Sequence, residues 1–395
     1  MQLQVSGSAS RSSETKAPGL APGDRRHSGL VVIAANSCWN IVNFRSALVA
    51  ALLREGRDVL VLAPPDEHVP ALEALGAHFI PIEVASSSLS VTGDLKLLLR
   101  YAAIMRRVRP SAFLGFTIKP NIYGSLAAQA VGARVINNIT GLGTAFLSTG
   151  WLRTLASSLY RVALRRSHTV FFQNGSDLQL FLKRRLVRQD QARLLPGSGL
   201  DLERFRPSPA AAGAADDFRF LLIGRMLWDK GVGEFVEAAR RVRASHPQAR
   251  FQLLGALGAD NRTAVPEDQL GKWLDEGVVE YLGSTSDVRP FVEAADCLVL
   301  PSYREGLPRS LLEGSAMGKP VIATDVPGCR DVVDHGRTGL LCAVRSAEAL
   351  ASAMRQMIDL SPAERAIMGA AGRARVEQEF CQSKVLERYL GALNA

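Results

Sequence analysis

The 395-residue sequence contains no uninterrupted apolar stretch of about 18 residues, which argues against a membrane-spanning helix. Its five cysteines (Cys38, Cys297, Cys329, Cys342 and Cys381) form no CxxC pair, and no histidine stands at metal-ligand spacing from them. That pattern speaks against a zinc site and a disulfide scaffold, and it points to reduced thiols in a cytosolic setting. Aromatic residues make up only 6% of the chain, leaving few rings to stack on bases, and no nucleic-acid motif is recognisable. Residues 1–28 are rich in Ser, Gly, Pro and Ala and lack an apolar run. They read as a disordered leader, neither a secretory signal nor a span. Acids are nearly missing from one part of the chain. Between Leu95 and Leu195 there are 16 Lys or Arg against Asp177 and Asp190, a local net of +14 in a chain whose total is +9. Such a segment suits nucleic acid, a membrane surface or an acidic small molecule, and the first of these has no motif to support it.

What is present is the composition of a globular protein, 47% hydrophobic and 22% charged, with length enough for two domains. Short apolar runs alternate with helical segments. Leu30–Ala35, Asp58–Leu62, Ala112–Gly115, Arg134–Ile139 and Thr169–Phe172 have the pattern of buried strands. After Pro196-Gly197-Ser198-Gly199 and the Pro- and Ala-rich stretch Pro207–Ala215 the alternation restarts. Phe218–Ile223, Phe251–Leu254, Val279–Leu282, Cys297–Leu300, Val321–Ala323 and Gly339–Cys342 are the second set. The order predicts an α/β protein of two doubly wound, Rossmann-like domains, residues 29–199 and 200–375. A helical end without a strand partner, residues 376–395, is expected to pack back on the first domain. In such sheets ligands bind at the carboxyl ends of the strands, so chemistry is sought in the loops that follow them.

Two loops of the second domain carry charge in a suggestive order. Phe218–Ile223 runs into Gly224-Arg225-Met226-Leu227-Trp228-Asp229-Lys230-Gly231, two cations ahead of a helix N-terminus. Backbone N–H groups, the helix dipole and both side chains can converge there on a diphosphate. Cys297–Leu300 runs into Pro301-Ser302-Tyr303-Arg304-Glu305-Gly306-Leu307-Pro308, with Glu313 eight positions beyond Glu305 on the following helix. Each loop alone is equally consistent with solvated surface charge or an ordinary helix start.

Jointly, the two loops resemble the retaining glycosyltransferases of family 4, which have the GT-B architecture. Gly318-Lys319-Pro320-Val321-Ile322-Ala323-Thr324-Asp325, Pro327-Gly328-Cys329-Arg330-Asp331-Val332-Val333 and Gly336-Arg337-Thr338-Gly339-Leu340-Leu341 also match. The resemblance implies that Arg225 and Lys230 bind a donor diphosphate and stabilise the departing nucleotide. It places Glu305 at the donor sugar with Gly306, Leu307 and Pro308 around it, Glu313 on the ribose, and Gly283 and Ser284 near the base. Arg225, Lys230 and Glu305 become the catalytic candidates. No metal and no cofactor are implied, the nucleotide-sugar being a substrate, and no Asp-x-Asp sequence occurs in the chain.

On the acceptor side the resemblance points to three loops. Asn36, Ser37 and Asn40 follow the first strand, where many members carry a glycine pair that is absent here; plain helix capping is the alternative for these residues. Lys119 and Asn121 follow Ala112–Gly115, where many members have a histidine and this chain has none. Thr140 and Gly141 belong to the loop Asn137-Asn138-Ile139-Thr140-Gly141-Leu142-Gly143-Thr144. With Ile118–Gly124 and Gly197-Ser198-Gly199-Leu200-Asp201, this loop is similar to that of bacterial enzymes extending polyprenyl-diphosphate-linked oligosaccharides. Expected partners are therefore a UDP-linked sugar, a lipid-diphosphate saccharide and an anionic membrane surface, at the inner face of the cytoplasmic membrane. Trp151–Arg166, apolar on one side and basic on the other, suits such a surface, with a core-facing helix as the alternative. An epimerase of the same architecture would need acid–base groups in the cleft, for which the first domain offers little beyond His68 and His78, both expected at the surface. A non-catalytic nucleotide-sugar binder would not be expected to keep all four of Arg225, Lys230, Glu305 and Glu313.

Overall fold

The computed structural model describes residues 27–84, 91–142, 151–207, 217–258, 261 and 263–395. Residues 1–26 of the expected leader, part of the Pro- and Ala-rich stretch and the end of the glycine loop at 143–144 lie outside the described residues. The first strand begins at His27, two residues inside the span assigned to the leader.

Seven parallel strands form the first sheet: β1 (His27–Ala34), β2 (Val59–Ala63), β3 (His78–Pro81), β4 (Pro110–Phe116), β5 (Arg134–Ile139), β6 (Thr169–Phe172) and β7 (Ala192–Leu194), in the order β3-β2-β1-β4-β5-β6-β7. Helices α1 (Cys38–Arg54) and α2 (Val69–Ala74) cover one face, where Val31, Ile33, Val59 and Val61 meet Leu48, Leu52 and Leu72. On the other face lie α3 (Val91–Val108), a π turn at Pro120–Gly124 running into α4 (Ser125–Ala130), α5 (Trp151–Leu164) and α6 (Gly175–Lys183). Strands β2, β4 and β6 are apolar at nearly every position because both faces are covered, as parallel crossover sheets require, whereas the edge strands β3 and β7 are partly exposed.

The second sheet is built the same way from β8 (Arg219–Ile223), β9 (Arg250–Leu254), β10 (Glu280–Tyr281), β11 (Cys297–Leu300), β12 (Val321–Thr324) and β13 (Gly339–Cys342), in the order β10-β9-β8-β11-β12-β13. Its helices are α7 (Val232–Arg243), α8 (Glu267–Asp275), α9 (Arg289–Ala294), α10 (Arg309–Ala316), α11 (Cys329–Val332), α12 (Ala347–Asp359) and α13 (Pro362–Arg375). The order of each sheet reverses beside its first strand, so the crevices at β1/β4 and β8/β11 are the places where loops diverge and a ligand fits. No helix among the described residues is long and apolar enough to cross a membrane.

After a π turn at Val376–Phe380 the chain extends through Cys381 into α14 (Gln382–Asn394), which lies on the first lobe. Val385, Tyr389 and Leu393 join that lobe's core. Tyr389 meets Phe171 edge-on at 5.2 Å and Phe116 at 6.2 Å, and its hydroxyl accepts a hydrogen bond from the Asn138 amide. Burying one such ring contributes roughly 2–3 kcal/mol, which straps the chain end of the second lobe to the first.

Candidate active site

β8 ends at Ile223, and the chain passes Gly224 and Arg225 into one 3-10 turn, Trp228–Lys230. Backbone bonds set this turn: Met226 donates to the Ala256 carbonyl at 2.9 Å and Trp228 to that of Thr263 at 2.7 Å. Gly231 has φ +74°, and a Cβ there would stand 2.2 Å from the carbonyl oxygen of Pro301. Only glycine permits both the left-handed backbone and that contact. The Tyr303 N–H then donates to the Asp229 carbonyl at 2.9 Å, closing the two charged loops on each other. In consequence the Lys230 ammonium pairs with the Glu305 carboxylate, 75 residues away in sequence. The stem of Lys230 runs beside Gly224, adjacent to Arg225. Arg225 itself is exposed, and its guanidinium makes no ion pair or hydrogen bond among the described residues.

Glu313 projects from α10 and is 8% exposed. Burial pushes its carboxyl pKa up, and Arg309 opposes the shift by donating through Nε at 2.8 Å. Gly283, at φ +76°, accepts from the Gly255 N–H at 2.8 Å, and Gly255 lies against the Gly224 carbonyl. This places the Gly283–Ser284 loop beside the Arg225 turn, with Ser284 exposed. Leu307 packs against Gly197, and the buried Pro308 stands at the cap of α10.

In the first lobe several polar residues turn inward. Ser37 caps α1, its hydroxyl accepting from the Asn40 N–H at 3.2 Å. Asn40 accepts from Arg45, at 2.7 Å to Oδ1. Burial pulls the Arg45 guanidinium pKa down to about 10, and the group lies 4.1 Å from the centre of the Phe116 ring. Asn36 is exposed at the mouth of the same loop. Lys119 forms an ion pair with Asp94 of α3 at 2.9 Å. Asn121, placed by sequence at the acceptor, is instead wholly buried: it donates to the Asn138 carbonyl at 2.8 Å and accepts from Asn137 at 2.9 Å. Ser125 and Ser167 complete this network, which satisfies the Asn137 amide on a buried strand, while the Asn138 amide donates to Tyr389 and its Oδ1 has no partner among the described residues. Thr117, directly after β4, has φ +66° and a buried hydroxyl without a partner among the described residues, a strained setting for a β-branched residue. His68 leans on Asp66 at 3.4 Å, and His78 is exposed on the outermost strand β3.

The lobes meet at these loops. The Cα of Gly306 is so close to the first lobe that a Cβ would stand 2.1 Å from the Thr140 carbonyl oxygen, and Gly141 faces the same residue. Asn174, the cap of α6, donates to the Gly306 carbonyl at 2.8 Å. Arg304 pairs with the buried Asp177, whose pKa burial raises while Arg304 lowers it. Arg309 also reaches across, donating to the Asn43 carbonyl at 2.8 Å and lying 5.2 Å from the Phe44 ring centre. Asn174, Asp177, Arg304 and Arg309 were not singled out in the sequence. The i, i+4 spacing of Arg309 to Glu313 is a local signal that points to it; the partners of the other three are set only by lobe packing. Among the described residues no group of three or more His, Cys, Asp or Glu side chains is arranged to hold a metal ion.

Known proteins share this two-lobed fold. Residues 32–174 match the family described as glycosyl transferase 4-like, and residues 217–359 match that of glycosyl transferases group 1. The chain belongs to the family 4 glycosyltransferases. This glycosyltransferase is 28% identical over 337 residues to the N,N'-diacetylbacillosaminyl-diphospho-undecaprenol alpha-1,3-N-acetylgalactosaminyltransferase of Campylobacter jejuni, covering 81% of this chain and 87% of the relative. It is 22% identical over 346 residues to the capsular polysaccharide biosynthesis glycosyltransferase CapM of Staphylococcus aureus, covering 85% and 89%. In fold it is similar to HepE of Anabaena solved with UDP, with TM-score 0.75, 19% identity, and 93% and 99% of the two chains covered. Sucrose-phosphate synthase of Thermosynechococcus elongatus superposes at TM-score 0.74 with 19% identity, covering 92% and 98%. The architecture is GT-B.

Proposed function

We propose that the enzyme transfers a hexose or N-acetylhexosamine, with retention and without a metal, from a UDP-sugar to a polyprenyl-diphosphate-linked saccharide. The observation that carries this reading is the Lys230–Glu305 pair where the two lobes touch, with Arg225 open beside it. Lys230 and Arg225 neutralise the donor diphosphate in place of a metal, and Glu305 holds the donor sugar together with Gly306, Leu307 and Pro308. The buried Glu313 accepts hydrogen bonds from the ribose hydroxyls, while Gly283 and Ser284 border the base. In the transfer, the acceptor hydroxyl oxygen bonds to the anomeric carbon on the face that the UDP oxygen leaves. The hydroxyl proton passes to the departing phosphate, and the charge that develops there is met by Lys230 and Arg225. No cofactor takes part.

On the acceptor side Asn36, Lys119, Thr140 and Gly141 border the substrate, while Ser37, Asn40 and Asn121 brace the loops behind them. The lipid-linked acceptor is supported by the undecaprenol-diphosphate sugar named for the Campylobacter relative, and UDP by its presence in the HepE structure. An anionic membrane surface is the proposed partner, with the enzyme peripheral at the inner face of the cytoplasmic membrane and no role for nucleic acid. A panel of nucleotide-sugars incubated with polyprenyl-diphosphate-sugar acceptors, with products weighed by mass spectrometry, tests the reading. One hexose or N-acetylhexosamine added from a UDP-sugar is expected; absence of any lengthened lipid across the panel removes the proposed acceptor class.

Arg309→Ala is expected to raise the donor KM about tenfold or more with a smaller change in kcat, because it unpairs the carboxylate that holds the ribose. The Glu313 pKa, already raised by burial, rises further without its cation. Its charged form then exists only above a higher pH, so the acid limb of the kcat/KM profile moves upward. Arg309→Lys restores part of both. An unshifted acid limb would remove Glu313 from the donor site.

A further inference from the structure

The start of α1 brings an aromatic pair to the crevice between the lobes. Trp228 and Trp273 pack edge-on against each other at 5.7 Å in the second lobe. Trp39, in the first turn of α1, is by contrast 47% exposed. Neither Trp39 nor its neighbour Phe44 belongs to a core cluster among the described residues. The position of Trp39 is nevertheless fixed. Its backbone N–H donates to the Asp66 carboxylate at 3.0 Å, and its carbonyl accepts from the Asn43 amide at 3.0 Å. Its ring meets that of Phe44 edge-on at 5.2 Å, and Phe44 lies 5.2 Å from the guanidinium of Arg309. Arg309 comes from the second lobe, where it holds Glu313. The exposed indole thus stands on the first-lobe side of the donor pocket, two contacts away from Arg309's carboxylate partner.

The surroundings of the indole are polar and planar. Asn36 is exposed three positions ahead of it. The Asp66 side chain, 28% exposed, accepts one backbone N–H at each oxygen, from Trp39 and from His68. A carboxylate has about four acceptor sites, so each oxygen keeps one for a ligand. The cations closest to the ring pair are turned elsewhere: Arg45 is buried against Asn40, and Arg309 is bound to Glu313 and the Asn43 carbonyl. A bare aromatic face rimmed by amide and carboxylate groups suits a polyhydroxylated ring better than a phosphate. The C–H groups on one face of a pyranose carry partial positive charge and complement the negative face of the indole, while hydroxyls at the ring edge reach the polar rim.

We infer that Trp39 is a saccharide platform, stacking on the apolar face of a pyranose of the acceptor glycan while Asn36 and Asp66 hydrogen-bond its hydroxyls. This rests on the glycan-acceptor reading above and adds to it the residue that grips a sugar. Because the ring is already held by Phe44 and by its own backbone bonds, little ordering is needed when the sugar arrives. Covering one indole face is worth about tenfold in affinity.

The test compares the full chain with its Trp39→Ala and Trp39→Phe variants on polyprenyl-diphosphate saccharides. Trp39→Ala is expected to raise the acceptor KM about tenfold and to leave kcat and the donor KM within about threefold, since stacking holds ground state and transition state alike. Trp39→Phe, which keeps a smaller ring, should recover part of the loss. Melting temperatures stay near that of the parent, because the indole lies outside the core. Fluorescence gives a readout that a merely structural role would not move: the acceptor saccharide should shift the emission of the parent and leave that of Trp39→Phe unchanged. A parent that extends the lipid-linked saccharide while Trp39→Ala keeps its acceptor KM overturns the platform and leaves the acceptor class standing. An emission shift of equal size with a polyprenyl diphosphate that bears no sugar also overturns it, since the ring then meets lipid. A parent that extends no lipid-linked saccharide, yet shows a Trp39-dependent shift with free oligosaccharides, keeps the platform and removes the lipid-linked acceptor.

Discussion

Lys230→Ala is expected to lower kcat by about 10²–10³-fold and to leave the protein folded. The loop that carries Lys230 is held by main-chain contacts, among them Trp228 to Thr263, Lys230 to Leu227 and Tyr303 to Asp229, none of which uses the lysine side chain. The side chain meets Glu305 instead. Its removal takes a positive charge from the place where the leaving diphosphate gains negative charge, and it leaves the Glu305 carboxylate without its cation. Both effects act on the chemical step more than on donor affinity, so kcat falls further than KM rises. Lys230→Arg keeps the charge but not the compact ammonium, and an intermediate rate is expected. Steady-state rates beside a thermal melt decide the matter. A folded Lys230→Ala enzyme with near-normal turnover would falsify the assigned role.

The second large effect is expected at Gly306. A methyl group there would stand 2.1 Å from the Thr140 carbonyl oxygen and 2.8 Å from the Gln173 side chain, both in the opposite lobe. The Gln173 amide can swing aside, but Thr140 cannot yield cheaply, because the contact is with its backbone directly after a central strand. Gly306→Ala must therefore move one lobe relative to the other by a substantial part of an ångström. Misplacement on that scale costs about 10²-fold in rate when two substrates have to be aligned, and that loss is the expected result. The lobe cores do not touch the added methyl, so the melting temperature stays near that of the parent. Nucleotide binding, which uses the second lobe, weakens far less than turnover. Activity within about twofold of the parent would show that the lobes do not react in the geometry described.

The legible parts of the fold are those with a local cause. β6, β11 and β13 stand where their apolar runs place them, because a strand covered on both faces is written as such a run. The short edge strands His78–Pro81 and Ala192–Leu194 are not legible: partly exposed, they have no apolar run to announce them. Asn137 and Asn138 disfavour a strand by propensity, yet lie in β5: Asn121, Ser125 and Ser167 satisfy the Asn137 amide, and Tyr389 accepts from that of Asn138. That network also explains the displacement of Asn121 from the acceptor side. Nothing in Lys119-Pro120-Asn121 indicates that the lysine meets Asp94 or that the asparagine turns into the core.

By itself the sequence determined the α/β alternation, the two-lobed architecture and the charged set Arg225, Lys230, Glu305 and Glu313. These follow from periodicity and from short motifs, which are local properties of a chain. Tertiary structure decided which charges pair. Lys230 finds Glu305 because β8 and β11 are neighbours in the sheet and Gly231 lets their loops touch. Glu313 is held by Arg309, which at the same time grips the first lobe. It decided, too, that Ser37 and Asn40 serve the start of α1, and that one apolar stripe of α3 is core while the other is left uncovered. Periodicity can show that a helix has an apolar stripe; only the neighbours that pack against it determine whether that stripe is buried.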